Sequence, residues 1–408
     1  MRILKTFITI LIKTVTSVLL IALLAIAATS VSLVYDFRPP EPFSGPDIFD
    51  PYRSLDTSHC WKRANFHTHT RVKGPLNECP KWPAEVYEDL ARLGYDIVTF
   101  SNHNELTTHP FDTCLQVNVY EHGINLFKYH KLVFGAEEVL HFDHLVPVFT
   151  FQKQFQLDLL GRDADIIQLN HPLRTNGTDP ETMKKLSGYT IMELDSGKST
   201  ENEYWDWALS AGHYSFGIAN DDLHYPDRTH CIGVRCSFLC CPSASYEDIL
   251  STLSEGCWYS MRIPDYGSGN WEIKYERNRN LPHIKDIGLE DSCIRMTLSE
   301  IADSIKVTGQ DHSTLLKITD SDRISYDMRP EDSYARLTAY FPGGEVIYTN
   351  AFARYDSSAC KSPLDTEPQK VNIGLTALYN LIVLLVCLLI TLTLYKTIFK
   401  WRIFSEKR

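Results

Sequence analysis

The sequence predicts an α/β fold: a barrel of alternating strands and helices over residues 61–265, a small β-sandwich over 266–360, and a transmembrane helix at each end. Three observations support this. Short apolar runs alternate with helical segments in the first part. Two-residue alternation replaces that pattern after residue 265, with Pro342-Gly343-Gly344 as a hairpin turn. Residues 14–35 and 371–395 contain no charged side chain and are long enough to cross a bilayer.

The composition is that of a globular protein with a large core, because 44% of the 408 residues are hydrophobic. The formal net charge is −11. Binding of nucleic acid depends on clustered Lys and Arg side chains, and here they cluster only near the two ends. We therefore expect no nucleic-acid partner. The eleven cysteines show no zinc-type spacing and leave disulfides open without indicating their pairing.

Basic residues flank both apolar runs on their outer sides, at Arg2, Lys5 and Lys13 and at Lys396, Lys400, Arg402, Lys407 and Arg408. This charge bias predicts cytoplasmic ends and an extracytoplasmic domain, on the periplasmic or extracellular side of a membrane. A cleaved signal peptide is the alternative for the first run, because Ala25-Ile26-Ala27 fits a cleavage site. The predicted order is a transmembrane helix (1–36), a linker (37–60), the barrel (61–265), the sandwich (266–360), a linker (361–370), a transmembrane helix (371–399) and a basic cytoplasmic tail (400–408).

Ligand-type side chains adjoin apolar strands along the barrel segment. His67 and His69 form a His-x-His pair at a strand end, where side chains two residues apart face the same way. Similar placements recur at His103, Glu137, His144, His171, Asp222 and His224. The carboxyl ends of barrel strands meet at one mouth, so we expect these side chains to converge there. Four other histidines lie in connecting segments and are expected at the surface: His109, His122, His130 and His141.

The order of these motifs resembles the PHP (polymerase and histidinol phosphatase) family of metal-dependent phosphoesterases. The motifs are HxH, (S/T)-x-H-N, G-x-E, a later His, N-H-P and D-x-H, within residues 65–262. The resemblance implies a distorted (βα)7-type TIM-like barrel that holds two or three metal ions. It also implies metal ligands at the matching positions, which are His67, His69, His103, Glu137, His144, His171, Asp222 and His224. Glu137 matches the carboxylate that bridges two metals in the family.

Two positions depart from the family pattern. Asn102 stands where the second motif usually has Asp, and an amide is a poorer ligand than a carboxylate although it can orient a neighbour. Lys73 precedes Gly74 where many members have an acidic residue or His. Because an ammonium group cannot ligate a metal, a two-metal centre is the prediction.

The ligand types themselves indicate chemistry. Imidazoles and carboxylates favour Zn²⁺, Mn²⁺ or Fe²⁺ over Ca²⁺, and two such ions activate water for attack on a phosphoester. We expect Asp222 to hold a metal and orient the hydroxide, His224 to ligate as well, and Arg174 to stabilise charge on the phosphate. Glu193 is expected to orient a ligand histidine.

The predicted function is a metal-dependent hydrolase, a phosphoesterase acting on a small phosphorylated or ester substrate at the extracytoplasmic face of a membrane. One alternative is hydrolysis of non-phosphate esters on the same fold. The other is a degenerate barrel that serves as a binding module.

Overall fold

The protein is represented by a computed structural model that describes residues 2–56, 61–74, 77–196, 199–200, 202–359, 362–365 and 367–400. The helices are α1 (Arg2–Ala28), α2 (Pro83–Arg92), α3 (Thr150–Leu160), α4 (Pro180–Met183), α5 (Asn202–Ser210), α6 (Tyr246–Glu255), α7 (Trp271–Asn278) and α8 (Ile373–Tyr395). The predicted basic tail lies outside the described residues beyond residue 400, as do parts of both predicted linkers.

The strands are short in the first half and long in the second. They are β1 (Tyr35–Asp36), β2 (Asp47–Phe49), β3 (Lys62–Asn65), β4 (Ile97–Val98), β5 (Val119–His122), β6 (Lys131–Phe134), β7 (Ile166–Leu169), β8 (Ile191–Ser196), β9 (Ser199–Thr200), β10 (Phe216–Asn220), β11 (Arg235–Leu239), β12 (Trp258–Arg262), β13 (Ile284–Glu290), β14 (Cys293–Thr308), β15 (Thr314–Asp327), β16 (Tyr334–Tyr340), β17 (Val346–Thr349), β18 (Phe352–Tyr355) and β19 (Lys370–Val371).

One sheet has the order β10-β8-β7-β6-β5, with β9 paired to β8. Strands β10, β8 and β7 are parallel, as the sequence predicts. Strand β6 is antiparallel to both of its neighbours, β7 and β5. Only residues 123–130 connect β5 to β6, and a parallel crossover needs about a dozen residues or more. The α/β class is confirmed, but this half of the sheet does not consist of the expected βα units.

The second sheet has the order β13-β14-β16-β17-β12-β11-β3-β4, with β15, β18 and β2 attached at its side. Strand β17 pairs with β12, so strands on both sides of residue 265 share one sheet. Isolated bridges at Thr68–Leu223 and His103–Glu121 link the two sheets. Within the part of the chain that the structure describes, these ladders close no complete (βα)7 barrel.

The two terminal helices are long and apolar enough to span a membrane, over Ile3–Ala28 and Ile373–Phe399. They are joined where they leave the domain. Asn380 accepts a hydrogen bond from Ser32 N at 3.1 Å and donates one to Ser32 O at 2.9 Å. Strands β1 and β19 pair immediately beyond this point. The two helices therefore leave the domain as a connected pair.

A buried ion pair attaches the C-terminal strands to the first part of the domain. Asp206 on α5 accepts a hydrogen bond from Arg336 Nε on β16 at 2.7 Å, and His312 Nδ1 lies 2.7 Å from its other oxygen. Burial disfavours the ionised carboxylate, but Arg336 and His312 lower the pKa of Asp206 below its usual value. The ionised form of Asp206 therefore stabilises the fold.

We expect Asp206→Asn to lower the free energy of unfolding by about 3–5 kcal/mol, because it leaves the buried Arg336 guanidinium without its counter-charge. The folded-state pKa is depressed, so the deficit is fully present above about pH 4 and shrinks as the pH falls below that value. Chemical denaturation of the detergent-purified protein measures this loss in the free energy of unfolding. Asp322→Asn removes an exposed carboxylate beside Arg323 and is the control, with no measurable change expected. Equal stability of both variants at neutral pH would contradict the assignment.

Candidate metal centre

The His-x-His pair lies in an extended segment just past β3. The amide of His69 donates to Leu223 O at 2.9 Å, and that of Leu223 donates to His67 O at 3.2 Å. Side chains two residues apart in this segment face the same side, and the two rings are 5.4 Å apart. Asn102 holds the end of the segment, since its Oδ1 accepts from Thr70 N at 2.8 Å. The amide at position 102 therefore fixes the backbone immediately after the pair.

Glu121, the third residue of β5, is at the centre of the cluster. Its carboxylate is 1% exposed and lies within 3.5 Å of five imidazoles, those of His67, His69, His103, His130 and His171. Burial disfavours its charge, but His103, His67 and His130 lower its pKa well below the usual value. Asn170 Nδ2 also donates to Glu121 Oε1 at 2.9 Å.

Asp222 supplies the second buried carboxylate. Its Oδ1 is 3.1 Å from His67 Nε2 and 3.4 Å from His69 Nε2, and its Oδ2 accepts from Arg174. The backbone φ of Asp222 is +49°, a left-handed conformation that is uncommon for a residue with a side chain and is often found at functional sites. Burial opposes ionisation, but the surrounding imidazoles lower the pKa of Asp222 well below its usual value.

Glu78 closes the outer side of the cluster. Its Oε2 lies 3.0 Å from His103 Nε2, 3.4 Å from His224 Nε2 and 3.8 Å from His69 Nδ1. The Glu78 side chain is 40% exposed and that of His224 is 24% exposed. Together with Arg174, these two residues mark the side from which a substrate can enter.

A buried network holds the ligand-type side chains in place. Glu193 on β8 contacts His67 Nδ1 at 3.0 Å and accepts from His171 N at 2.9 Å. Asn220 at the end of β10 donates to Glu193 at 3.3 Å. These contacts place Glu193 where it can orient His67 and His171. Because Nδ1 of His67 faces Glu193, its Nε2 faces Glu121 and Asp222.

These side chains can hold divalent metal ions. Three groups have ligand atoms close enough to share an ion: His67, His69, Glu121 and Asp222; His69, Glu78 and His103; and His103, Glu121 and His130. The buried Nε2 atoms of His67 and His69 lack a hydrogen-bond partner among the described residues, although carboxylate oxygens lie nearby. Unpaired buried ring nitrogens facing carboxylates fit a metal centre and are costly in its absence. The donor set fits Zn²⁺, Mn²⁺ or Fe²⁺.

Most of the residues predicted from the sequence come together in this cluster: His67, His69, His103, His171, Arg174, Asp222 and His224. Glu137 and His144 do not. Glu137 is exposed beyond the end of β6 and belongs to none of the three groups. Strand β6 runs antiparallel to β7, so its carboxyl end lies at the opposite edge of the sheet from that of β7. Its amino end, where His130 lies, faces the cluster.

His144 is committed to other contacts. Its Nε2 donates to Val31 O at 3.1 Å and its Nδ1 accepts from Gln156 at 3.1 Å, so both ring nitrogens are occupied. Burial lowers the pKa of His144 to about 4, which is consistent with a neutral ring that is both donor and acceptor. The residue joins the domain to the end of α1.

Sequence reasoning missed Glu121, His130 and Glu78. The expectation that His109, His122 and His130 lie at the surface is wrong. His109 and His122 are buried, and the His130 ring contacts Glu121 at 3.1 Å. Residues 117–122 alternate apolar and polar side chains in part, and this pattern could have identified β5 and therefore Glu121. Glu78 supplies the acidic group that Lys73 does not, five residues later; Lys73 itself is exposed.

No family model matches this chain, and no curated protein matches it. Among solved structures, it is similar to a two-domain protein from Bacteroides vulgatus described as containing a predicted PHP-like metal-dependent phosphoesterase. The identity is 14% and the TM-score is 0.38, over 77% of this chain and 99% of the other.

We expect Glu121→Gln to reduce bound metal severalfold, because the amide removes the negative charge shared by two of the three groups. Glu137→Gln makes the same chemical change at an exposed position and should leave the metal content unchanged. Elemental analysis of the two purified variants beside the wild type decides this. Loss of metal from Glu137→Gln but not from Glu121→Gln would restore the assignment made from sequence.

Proposed function

We propose that the protein is a metal-dependent hydrolase, and specifically a phosphoesterase. The observation that carries this proposal is the buried Glu121 carboxylate surrounded by five imidazoles, with Asp222 beside it. The resemblance to the PHP family supports the same activity once Glu121 replaces Glu137 as the bridging carboxylate. The HxH and (S/T)-x-H-N motifs before that position and the N-H-P and D-x-H motifs after it all contribute side chains to the cluster.

The side chains divide the proposed work among them. His67, His69, His103, His130, His171, Glu121, Asp222 and Glu78 would hold the metal ions. Bound divalent ions supply an acidified water and positive charge near a phosphoryl oxygen. Asp222 accepts a hydrogen bond from Arg174, and its carboxylate can also orient the water that the metal ions would bind. The Arg174 side chain is 21% exposed beside the entrance, so its guanidinium can also bind a phosphate oxygen.

We propose three metal positions instead of the two that the sequence predicts. The preference for two rested on the absence of an acidic residue near Lys73. Glu78 provides that residue, and with His69 and His103 it forms the most exposed of the three groups. Glu121 belongs to two of the three groups, and its two carboxylate oxygens can face adjacent ions.

We also propose that α1 and α8 cross a membrane with the domain on the extracytoplasmic side. The length and apolar character of both helices support the crossing. The basic residues at the outer ends of the helices support the orientation.

The first test is activity toward a panel of phosphomonoesters, phosphodiesters and carboxylesters with Mn²⁺ or Zn²⁺. We expect phosphoester turnover that a chelator abolishes. Arg174→Ala should lower kcat about 10²–10³-fold, because a donor to the transition-state charge is lost. Arg295→Ala, an exposed arginine paired with Glu290, is the control and should leave kcat unchanged. Turnover of carboxylesters alone would indicate the alternative hydrolase, and metal binding without any turnover would indicate a binding module.

A second test concerns the number of ions. Glu78→Gln should lower the bound metal by about one equivalent while the remaining metal stays bound, because Glu78 belongs to only one of the three groups. Glu88→Gln changes an exposed carboxylate of α2 and should leave the stoichiometry unchanged. Elemental analysis together with calorimetric titration of Mn²⁺ into metal-free protein measures both variants. An unchanged stoichiometry in Glu78→Gln would contradict the third position.

A further inference from the structure

An apolar surface lies between the metal centre and the terminal helices. Five large apolar side chains there are about half exposed or more: Ile124, Leu126, Val148, Phe149 and Leu173. Leu126 is 69% exposed and Leu173 is 47% exposed. We call this surface the apolar rim. A group of exposed apolar side chains in one region is typical of an interaction site, whereas single ones are ordinary.

The rim is continuous with the end of α1. The amide of Leu126 donates to Leu145 O at 2.9 Å, and the amide of Leu145 donates to the hydroxyl of Thr29, the first residue after α1, at 3.3 Å. His144 donates to Val31 O in the same region. The backbone that carries Leu126 is therefore two hydrogen bonds away from the end of an apolar helix.

The rim also meets α8. The rings of Phe149 and Phe151 are stacked at 5.1 Å, and the Phe151 ring lies 4.9 Å from Tyr379. Tyr379 is six residues into α8, which at 1.5 Å per residue is about 9 Å along the helix axis. Aromatic side chains are enriched at that depth, where a membrane-spanning helix passes through the headgroup region.

The other end of the rim borders the entrance to the metal centre. Leu173 immediately precedes Arg174, which binds Asp222. The amide of Asn176 donates to Phe127 O at 2.8 Å, and the Thr175 hydroxyl donates to Lys128 O at 2.9 Å. These bonds hold the Leu173 segment against the Leu126 segment. Exposed Lys128 and half-buried Arg174 add positive charge beside the apolar side chains.

We propose that the apolar rim rests in the headgroup layer of the bilayer that α1 and α8 cross, and that the substrate is a phosphoester carried by a lipid of that bilayer. This inference rests on the proposed phosphoesterase function. Apolar side chains would face the acyl region while Lys128 and Arg174 meet the phosphate, which is the arrangement of an interfacial site. In the reaction, the oxygen of water bonds to phosphorus, the ester P–O bond breaks, and the departing oxygen takes a proton from that water.

The test compares lipids with soluble esters of the same chemistry. Full-length protein is reconstituted with Mn²⁺ in phosphatidylcholine vesicles that contain phosphatidate or phosphatidylinositol. Parallel reactions contain glycerol phosphate or glycerophosphoinositol, which have the same phosphoesters without acyl chains. We expect the wild type to prefer the lipid of each pair at least tenfold. The double variant Leu126→Asn/Leu173→Asn should lose most of that preference and retain turnover of the soluble esters within twofold.

Ile301→Asn is the control, because Ile301 is 62% exposed on β14 in the C-terminal strands. It should change neither reaction. An equal loss of both reactions in the double variant, or no loss of the lipid reaction, would overturn the inference. Preference for soluble esters by the wild type would also overturn it and leave the phosphoesterase function intact.

Contact with lipid is measured separately, without relying on activity. Leu126→Trp and Ile301→Trp proteins are reconstituted in nanodiscs made with brominated phosphatidylcholine. The fluorescence that each introduced Trp adds to that of the wild type should be quenched severalfold more at position 126 than at position 301. Equal quenching would refute membrane contact of the rim, and would instead favour a second copy of the chain or another protein as its occupant. Strong quenching at position 126 without turnover of any ester would refute both the phosphoesterase function and the lipid substrate. The membrane contact of the rim would still be supported.

Discussion

The contact between the buried Glu121 carboxylate and its ring of imidazoles is the constraint on which the site depends. A carboxylate that is 1% exposed is costly to bury unless positive charge or hydrogen-bond donors surround it. The neighbouring histidines respond differently. Burial opposes protonation of both His103 and His130, yet the nearby carboxylates raise the pKa of His103 to about 9, whereas burial prevails and lowers that of His130 to about 4. The two rings beside one carboxylate therefore differ in pKa because burial and the nearby charges act on them to different extents.

The sequence predicts the site well wherever the strands run parallel. His67, His103, His171 and Asp222 follow strands whose carboxyl ends lie at one edge, so their positions along the chain indicate their positions in space. The rule fails at β6, because a strand that runs the other way presents its first residues to that edge. Periodicity of side chains does not reveal strand direction. The short connection over residues 123–130 does, since it is too short for a parallel crossover, and that length was visible in the sequence.

The fold as a whole was predictable at the level of its class and its apolar helices. It was less predictable where distant strands pair. The pairing of β17 with β12 joins residues 84 to 90 positions apart, and no local pattern specifies such a contact. The same limit explains His144, whose place before an apolar run suggested a ligand. Its ring is instead held by Val31 and Gln156, one before and one after it in the chain, so only the tertiary structure shows that both nitrogens are occupied.

The connection between β5 and β6 links the two proposed properties of the protein. It begins after His122, which directly follows Glu121, and it ends at His130, which lies in the cluster. Its middle carries Ile124 and Leu126 of the apolar rim, and the Leu126 amide is bonded to the segment that contacts the end of α1. Eight consecutive residues therefore contact both the cluster and the segment that is bonded to the end of α1. The many hydrogen bonds along this connection, including those of Asn125 to Tyr129 O and Asp143, favour a fixed arrangement.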